Sequence, residues 1–317
     1  MAAATLPAPP CGGCRSPPAA VARRSAAWPR ASAVRASASA GRVRGRREAA
    51  VARMPRLAHR EVMLALAREA EARLGARLLP SRVPADVAEF GDAAAGALGS
   101  VDVRRGAPGS SIDFMLEAWF HRALPAGGAI DITSLIVFLN GATDAPHFLL
   151  ELIQGGPASL VVLLDLFPRR DLPLHPGYVD RYYAATGVDA HRERLERVPQ
   201  VRPYVSPSLL VRSLWSPTAI VVDVQCGEGG EAALEDIVRG QLASSAAAVL
   251  DVWLERCAGG SAVVEMEAAE RERLVARDRM IATTSVELNL SANLPKMFDA
   301  DVSGRVVAEI GKAFSGS

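Results

Sequence analysis

The alternation of apolar and polar positions is strongest in the middle of the chain. Three apolar, β-branched or leucine-rich runs cover residues 130–139, 147–154 and 159–167, and the short segments between them are rich in turn-forming residues. Runs of this length that follow one another so closely predict neighbouring antiparallel strands of one sheet. Residues 100–105 and 111–122 predict two further strands before them.

Helical periodicity dominates the chain on either side of these strands. Helical segments are predicted at residues 58–78, 176–197, 230–257, 264–280 and 298–314. Residues 207–215 and 216–225 predict two more strands, and a short alternating segment covers residues 284–290. A contiguous block of strands with helices before and after it predicts an α/β/α sandwich with a central, mostly antiparallel sheet.

One predicted strand carries a charged residue on an apolar face. In the run 147–154, alternation places Glu151 on the same side as Leu149 and Ile153. An ionised carboxylate on an apolar face is unfavourable unless it is paired, protonated or functional. Two interpretations stay open: Glu151 pairs with a neighbouring arginine or lies at a solvent-reaching strand end, or it belongs to a functional site. Asp165 raises the same question more weakly.

Charge is distributed unevenly along the chain. The formal net charge of the 317 residues is +1, but residues 1–47 contain nine arginines and no acidic residue, so the remainder carries −8. An acidic remainder argues against nucleic acid as the main partner. The Ala-, Ser-, Pro- and Arg-rich segment 1–47 is typical of a transit peptide cleaved near residues 34–39, with a disordered basic tail as the alternative. Residues 48–317 are predicted to form one domain.

Several protein classes are disfavoured because their sequence signatures are absent. The chain contains no GxGxxG after a strand, no GxxxxGK[ST], no GxSxG and no HExxH. Its five histidines do not have metal-ligand spacing, and the pair Cys11 and Cys14 lies in the predicted transit peptide. The longest apolar run, near residues 158–167, is shorter than the roughly 20 residues that span a bilayer. We therefore predict a soluble protein with no metal site, no readable cofactor site and no transmembrane segment.

Three further elements are candidate contacts for a ligand or partner. The segment 203–207 (PYVSP) is rigid and extended, and its Tyr204 and Ser206 either hydrogen-bond a ligand or belong to a structural turn. Trp215 either packs in the core or stacks on a flat ligand. The arginines of residues 169–212 form a solvated face or bind an acidic protein.

Five segments of the chain resemble one plant family in both sequence and order. These segments are TDAPHFLLELIQ, LVVLLDLFPRRDLPLHPGYV, VRPYVSPSLLVRSLWSPTAI, VLDVWLERC and LPKMF. Through them, the chain from residue 58 to its C-terminus resembles red chlorophyll catabolite reductase of plants. The resemblance agrees with a chloroplast location, which the transit-peptide pattern predicts separately.

The resemblance implies a homodimer with the fold of the ferredoxin-dependent bilin reductases. It implies an oxidoreductase that reduces the C20/C1 double bond of red chlorophyll catabolite, an open-chain tetrapyrrole, to the primary fluorescent catabolite during senescence. The implied electron donor is reduced ferredoxin, without a tightly bound flavin, metal or nicotinamide, and pheophorbide a oxygenase makes the substrate. The alternatives are a non-catalytic tetrapyrrole carrier and a bilin reductase with another substrate.

The resemblance also assigns residues to a substrate pocket. Glu151 matches the acidic residue of the family's pocket. Tyr204, Val205 and Ser206 match the segment that lines the pocket. Trp215 matches a position that influences which face of the substrate is protonated. Together these matches predict that Glu151, Tyr204, Val205, Ser206 and Trp215 belong to one substrate pocket.

The chain departs from the family pattern at one pocket position. Where a second acidic residue is expected, the sequence has Asn289 within the segment VELNL. An asparagine can hydrogen-bond a pyrrole N–H or a lactam, but it cannot deliver a proton. We therefore expect Glu151 to supply or relay the proton and Asn289 only to orient the substrate.

Overall fold

A single antiparallel sheet forms the centre of the protein. The computed structural model describes residues 45–125, 128–259, 266–284 and 290–315. Within these residues the strand order is β1-β2-β3-β4-β5-β6-β8-β7, and every pairing is antiparallel. The strands are β1 (Phe90–Asp92), β2 (Ala97–Arg105), β3 (Ile112–Ala123), β4 (Ala129–Leu139), β5 (His147–Gly156), β6 (Ser159–Phe167), β7 (Val201–Pro203) and β8 (Ile220–Gln225). The five strands predicted between residues 100 and 167 correspond to β2–β6.

Helices cover both faces of this sheet. They are α1 (45–52), α2 (Ala58–Leu74), α3 (Ala85–Ala88), α4 (Pro176–Tyr182), α5 (Asp189–Glu196), α6 (Leu209–Leu214), α7 (Glu231–Ile237), α8 (Ala243–Arg256), α9 (Ala268–Thr284), α10 (Ser291–Met297) and α11 (Ala300–Ser315). Side chains of α2, α4, α5, α7 and α8 form one core with the sheet, and those of α9, α10 and α11 form a second core on the opposite face. The predicted α/β/α sandwich is confirmed. None of the described helices is long and apolar enough to cross a bilayer.

Strand β5 shows how one strand serves both layers. Phe148, Leu150 and Leu152 are fully buried in the core beneath α2 and α8. The Phe148 ring lies 5.6 Å from the ring of Trp253 on α8. The residues between them, Glu151 included, face the other layer, because successive side chains of a strand point to opposite faces.

The prediction of a strand over residues 207–215 is wrong. Leu209–Leu214 forms the helix α6, and the hydroxyl of Ser208 accepts the N–H of Val211 at 3.3 Å as an N-cap. A short apolar run fits either a strand or a helix by periodicity alone. The serine cap at the first turn favours the helix.

Two further element boundaries differ from the prediction. Of residues 216–225, only the last six form a strand, β8. The helix predicted from about residue 298 to 314 is confirmed as α11 but begins two residues later, because Phe298 is extended and Asp299 Oδ1 accepts the N–H of Val302 at 2.9 Å. A carboxylate in this position caps a helix N-terminus.

Two predicted segments lie wholly or partly outside the described residues. Of the predicted transit peptide, residues 1–47, only the last three are described, at the start of α1. Of the alternating segment 284–290, Thr284 ends α9 and Leu290 directly precedes α10. Asn289 lies between them, outside the described residues. The transit peptide and the domain boundary after residue 47 stay predictions.

A buried ionic cluster attaches α1 to the sheet. Arg47 pairs with Glu117 on β3 at 2.9 Å and with Glu71 on α2 at 3.1 Å. Arg104 on β2 pairs with the same two carboxylates at 3.4 and 2.6 Å. The side chains of Arg47, Arg104 and Glu117 are each no more than 3% exposed. These ion pairs place Arg47, the last residue of the predicted transit peptide, against β3 and α2.

Candidate functional site

A cavity lies between the sheet and the layer that contains α6, α9 and α10. Its volume is about 200 Å³. Apolar side chains from strands and helices line most of it, among them Phe120, Leu163, Phe167 and Met297. Polar groups are few: Glu151, Tyr204, Ser206, Thr284 and Asn293. A lining of this composition suits a mostly apolar ligand with a few polar edges.

Glu151 is held by a single neutral donor. As predicted, it lies on one face of β5 with Leu149 and Ile153, and all three line the cavity. Ser134, directly opposite on β4, donates its hydroxyl to Glu151 Oε1 at 3.0 Å. No described residue forms an ion pair with the Glu151 carboxyl. Burial raises the pKa of Glu151, and the hydrogen bond from Ser134 opposes this only in part. Pairing with an arginine is thus excluded for the described residues.

The segment after β7 contributes two of its three predicted contacts. The Tyr204 N–H donates to the carbonyl of Val221 at 2.9 Å and so continues the pairing with β8. Tyr204 and Ser206 line the cavity. The side chain of Val205 is 64% exposed and does not line the cavity, because consecutive residues of an extended segment point in opposite directions.

Trp215 forms part of the cavity wall directly after α6. Its ring meets that of Phe167 on β6 edge to face, with centroids 5.5 Å apart and an interplanar angle of 76°. The two interpretations of Trp215 therefore combine, since the ring packs against a core residue and still borders the cavity. An aromatic wall of this kind offers a flat surface to a flat ligand.

Asp165 is buried behind this wall. It lies on the same face of β6 as the lining residues Leu163 and Phe167 and is 2% exposed. Its Oδ1 accepts the hydroxyl of Ser216 at 2.5 Å, and its Oδ2 accepts the N–H of Ser216 at 2.9 Å. Burial raises the pKa of Asp165 to about 7 in spite of these hydrogen bonds.

A buried polar cluster fixes α9, whose last residue Thr284 lines the cavity. Asp278 on α9 accepts two hydrogen bonds from Arg169, at 3.1 and 2.6 Å, and one from His147 Nε2 at 3.0 Å. Burial lowers the pKa of His147 to about 4, so the imidazole is neutral at neutral pH. Its Nδ1 accepts the N–H of Leu139 at 3.0 Å. The cluster thus anchors this cavity wall to the sheet.

Sequence reasoning missed part of the α10 wall. Asn293 and Leu294 line the cavity from α10, but the sequence pattern predicts a helix only from residue 298 onward. Pro295 lies inside this seven-residue helix and obscures its pattern. The predicted contact Asn289 lies outside the described residues; in the sequence it falls between α9 and α10.

The fold is similar to that of a solved bilin reductase. The crystal structure of tomato phytochromobilin synthase in complex with biliverdin matches with a TM-score of 0.63 over 81% of this chain and 84% of that chain, at 13% identity. At this identity the likeness concerns the fold alone. The chain therefore shares the fold of phytochromobilin synthase.

Sequence comparisons narrow the class to a family. The family model of red chlorophyll catabolite reductase (RCC reductase) matches residues 58–312. The chain is 59% identical to red chlorophyll catabolite reductase 1, chloroplastic, of Oryza sativa subsp. japonica over 285 residues, which are 89% of this chain and 84% of the relative. It is 42% identical to the chloroplastic red chlorophyll catabolite reductase of Arabidopsis thaliana over 259 residues, 80% of each chain. The chain belongs to the red chlorophyll catabolite reductase family.

Family membership confirms several predictions at once. The protein is an oxidoreductase of chlorophyll breakdown, as its resemblance to the family implied. Two of the relatives are named chloroplastic, which confirms the predicted location. The bilin reductase fold agrees with the predicted antiparallel sandwich.

Proposed function

We propose that the protein reduces the C20/C1 double bond of red chlorophyll catabolite in this cavity, with electrons from reduced ferredoxin. The observation that carries the proposal is the Glu151 carboxyl on an apolar wall, where it forms no ion pair with any described residue. Reduction of one double bond adds two electrons and two protons, and ferredoxin delivers its electrons singly. The intermediate must therefore be held and protonated at carbon. A carboxyl with a raised pKa is suited to this role at neutral pH.

Each predicted contact has a part in this proposal. Glu151 supplies or relays the proton, and the apolar walls exclude water from the intermediate. Tyr204 and Ser206 offer hydroxyl groups to the polar edges of the pyrrole rings. Trp215 packs against the flat face of the pigment. Asn289 is assigned from the sequence alone. It orients the substrate through a pyrrole N–H or a lactam.

The rim beside the cavity supports an acidic protein as the electron donor. Arg202 and Arg212 are exposed, and their side chains form no ion pair or hydrogen bond with a described residue. Between them in sequence, the side chains of Val205 and Leu209 are 64% and 74% exposed. Cationic groups around exposed apolar side chains suit an acidic protein partner. These four residues, the mouth rim, are the docking surface that we propose for ferredoxin.

The remaining partners follow from the family resemblance. We propose that the protein forms a homodimer, that it receives its substrate from pheophorbide a oxygenase, and that it holds no tightly bound flavin, metal or nicotinamide. Light scattering of the purified protein measures its oligomeric state. Its absorption spectrum and metal analysis test for a resident cofactor, and co-purification with the oxygenase tests the direct transfer of substrate.

An anaerobic assay tests the proposed reaction. The mature protein is incubated with red chlorophyll catabolite, ferredoxin and a ferredoxin-reducing system, and formation of the fluorescent product is followed. Product formation that depends on ferredoxin is the expected result. Tight pigment binding without product would identify a carrier instead, and Asn289→Asp would then be the variant to try. Turnover of biliverdin but not of red chlorophyll catabolite would identify a different bilin reductase.

A further inference from the structure

The buried carboxylate of Asp165 has no contact with the cavity, yet it holds a cavity wall. It is 2% exposed, and both of its oxygens accept hydrogen bonds from Ser216, one from the hydroxyl and one from the backbone N–H. Burial of a carboxylate is costly, and no described residue forms an ion pair with Asp165 that would offset the cost. A carboxylate is nevertheless the side chain that can accept both donors of Ser216 at the same time, since an amide presents a donor at one end.

The two hydrogen bonds fix the backbone next to Trp215. Ser216 directly follows Trp215, and Leu214 before it is buried at the end of α6. The ring of Trp215 rests against Phe167, which lies two residues after Asp165 on the same face of β6. One strand therefore holds both the backbone and the ring of this tryptophan. Trp215 and Glu151 line the same cavity, so a ligand packed on the ring has a defined position relative to the carboxyl.

We propose that Asp165 is a positioning residue: through Ser216 it fixes Trp215 as the wall that sets the position of the bound tetrapyrrole relative to Glu151. The assignment rests on the proposed function, because it requires the tetrapyrrole to bind in this cavity. Loss of this positioning should lower the rate of the protonation step more than the affinity for the pigment. A displacement of about 1 Å between reacting groups costs about 100-fold in rate.

A double-mutant cycle tests whether Asp165 acts through Trp215. In the parental background, Asp165→Asn is expected to lower kcat about tenfold or more, with a smaller change in KM. In the Trp215→Ala background, the same substitution is expected to change kcat by less than about twofold, because the wall that it positions is gone. A tenfold loss in both backgrounds, or parental kinetics for Asp165→Asn, would overturn the proposal.

A milder variant and a matched control accompany the cycle. Ser216→Ala removes the hydrogen bond to Oδ1 and keeps the backbone one to Oδ2, so a loss of kcat smaller than that of Asp165→Asn is expected, again only when Trp215 is present. Asp223→Asn changes a carboxylate on the same face of the sheet that does not line the cavity, and should leave kcat and KM unchanged. An effect of Ser216→Ala that persists without Trp215 would contradict the proposal.

The accessibility of the Trp215 ring to a small quencher can be measured without turnover. The emission of Trp215 is obtained by subtracting the emission of a Trp215→Phe variant from that of the same protein with Trp215. Its quenching by acrylamide is then measured for the parental protein and for Asp165→Asn. Asp165→Asn is expected to increase the quenching of Trp215, and unchanged quenching would contradict the role of Asp165. If the parental protein neither binds nor reduces red chlorophyll catabolite, the proposed function fails, while the quenching still decides whether Asp165 fixes the wall.

Discussion

The hydroxyl of Ser134 lies 3.0 Å from Oε1 of Glu151 across the β4–β5 pair, and it is the only hydrogen-bond partner of that carboxyl among the described residues. A neutral donor stabilises a carboxylate far less than a guanidinium does. Burial therefore sets the protonation state of Glu151, and its pKa is raised. The acid is held in place without being neutralised by a cation.

Glu151→Gln should abolish most of the turnover and keep substrate binding. Glutamine has nearly the same size and can still accept the Ser134 hydroxyl, but it cannot donate a proton to carbon. We expect kcat to fall by about 100-fold or more and the Kd of the pigment to change little. Single-turnover rates and a fluorescence binding titration measure the two quantities. Glu255→Gln, an exposed position on the opposite layer, is the control. A parental rate for Glu151→Gln would exclude this residue as the donor.

Ser134→Ala should move the pH dependence of kcat. The Ser134 hydrogen bond favours the ionised form of Glu151, so its removal raises the pKa of Glu151 further. An acid must be protonated to act, and its activity declines as pH rises through its pKa. The declining limb should therefore shift to higher pH by roughly 0.5–1 unit. The measurement is kcat against pH for Ser134→Ala, the parental protein and Ser159→Ala, a serine that does not line the cavity. A limb that does not move, or that shifts to lower pH, would contradict the assignment.

The sheet and the place of Glu151 could be predicted because strand alternation is a local property. Each side chain of β5 has its face fixed by its neighbours along the strand, so Leu149 and Ile153 identified the face of Glu151 before any tertiary contact was considered. Helix α6 escaped prediction although Ser208 caps its N-terminus. A segment as short as this one contains too few turns for its periodicity to distinguish a helix from a strand.

The rest of the cavity could not be predicted because it depends on how distant segments pack. Phe120 and Met297 line the same cavity although 177 positions separate them in the chain. Resemblance to the family supplied Tyr204 and Ser206 but could not show that Val205 points to solvent. That outcome depends on the register of the segment after β7, which the pairing with β8 sets.

Charge reversal on the mouth rim should weaken the interaction with ferredoxin. Arg202→Glu and Arg212→Glu place a negative charge where an acidic partner is proposed to bind. We expect the KM for ferredoxin to rise about tenfold at low salt, with a smaller difference at high salt because of screening. Turnover driven by a small chemical reductant should stay at the parental level. Arg256→Glu, exposed on the opposite layer, serves as the control. An unchanged KM in both rim variants would rule out this docking surface.

Arg47→Ala should destabilise the mature domain. The substitution leaves Glu71 and Glu117 buried with one fewer cation, and removal of a partner from a buried ion pair costs about 3–5 kcal/mol. Urea unfolding of a chain that begins at residue 40 measures the change in the free energy of unfolding. The neighbouring Arg46→Ala is the matched control, because Arg46 is exposed. Equal stabilities of the two variants would contradict the role of the cluster. A loss confined to Arg47→Ala would support transit-peptide cleavage before α1.

Asp165→Asn should flatten the pH dependence of stability between about pH 4 and pH 7. The pKa of Asp165 rises from 3.8 to about 7 on folding, so the folded state binds this proton more tightly than the unfolded state. Its favourable contribution is therefore complete below about pH 4 and is lost as pH rises through about 7, a change of about 4 kcal/mol. Asparagine does not titrate, so the free energy of unfolding of the parental protein, minus that of the variant, should fall over this range. Urea unfolding at several pH values measures this difference. The contributions of other titrating groups are the same in both proteins and cancel. A difference that is constant with pH would mean that Asp165 stays ionised in the folded protein.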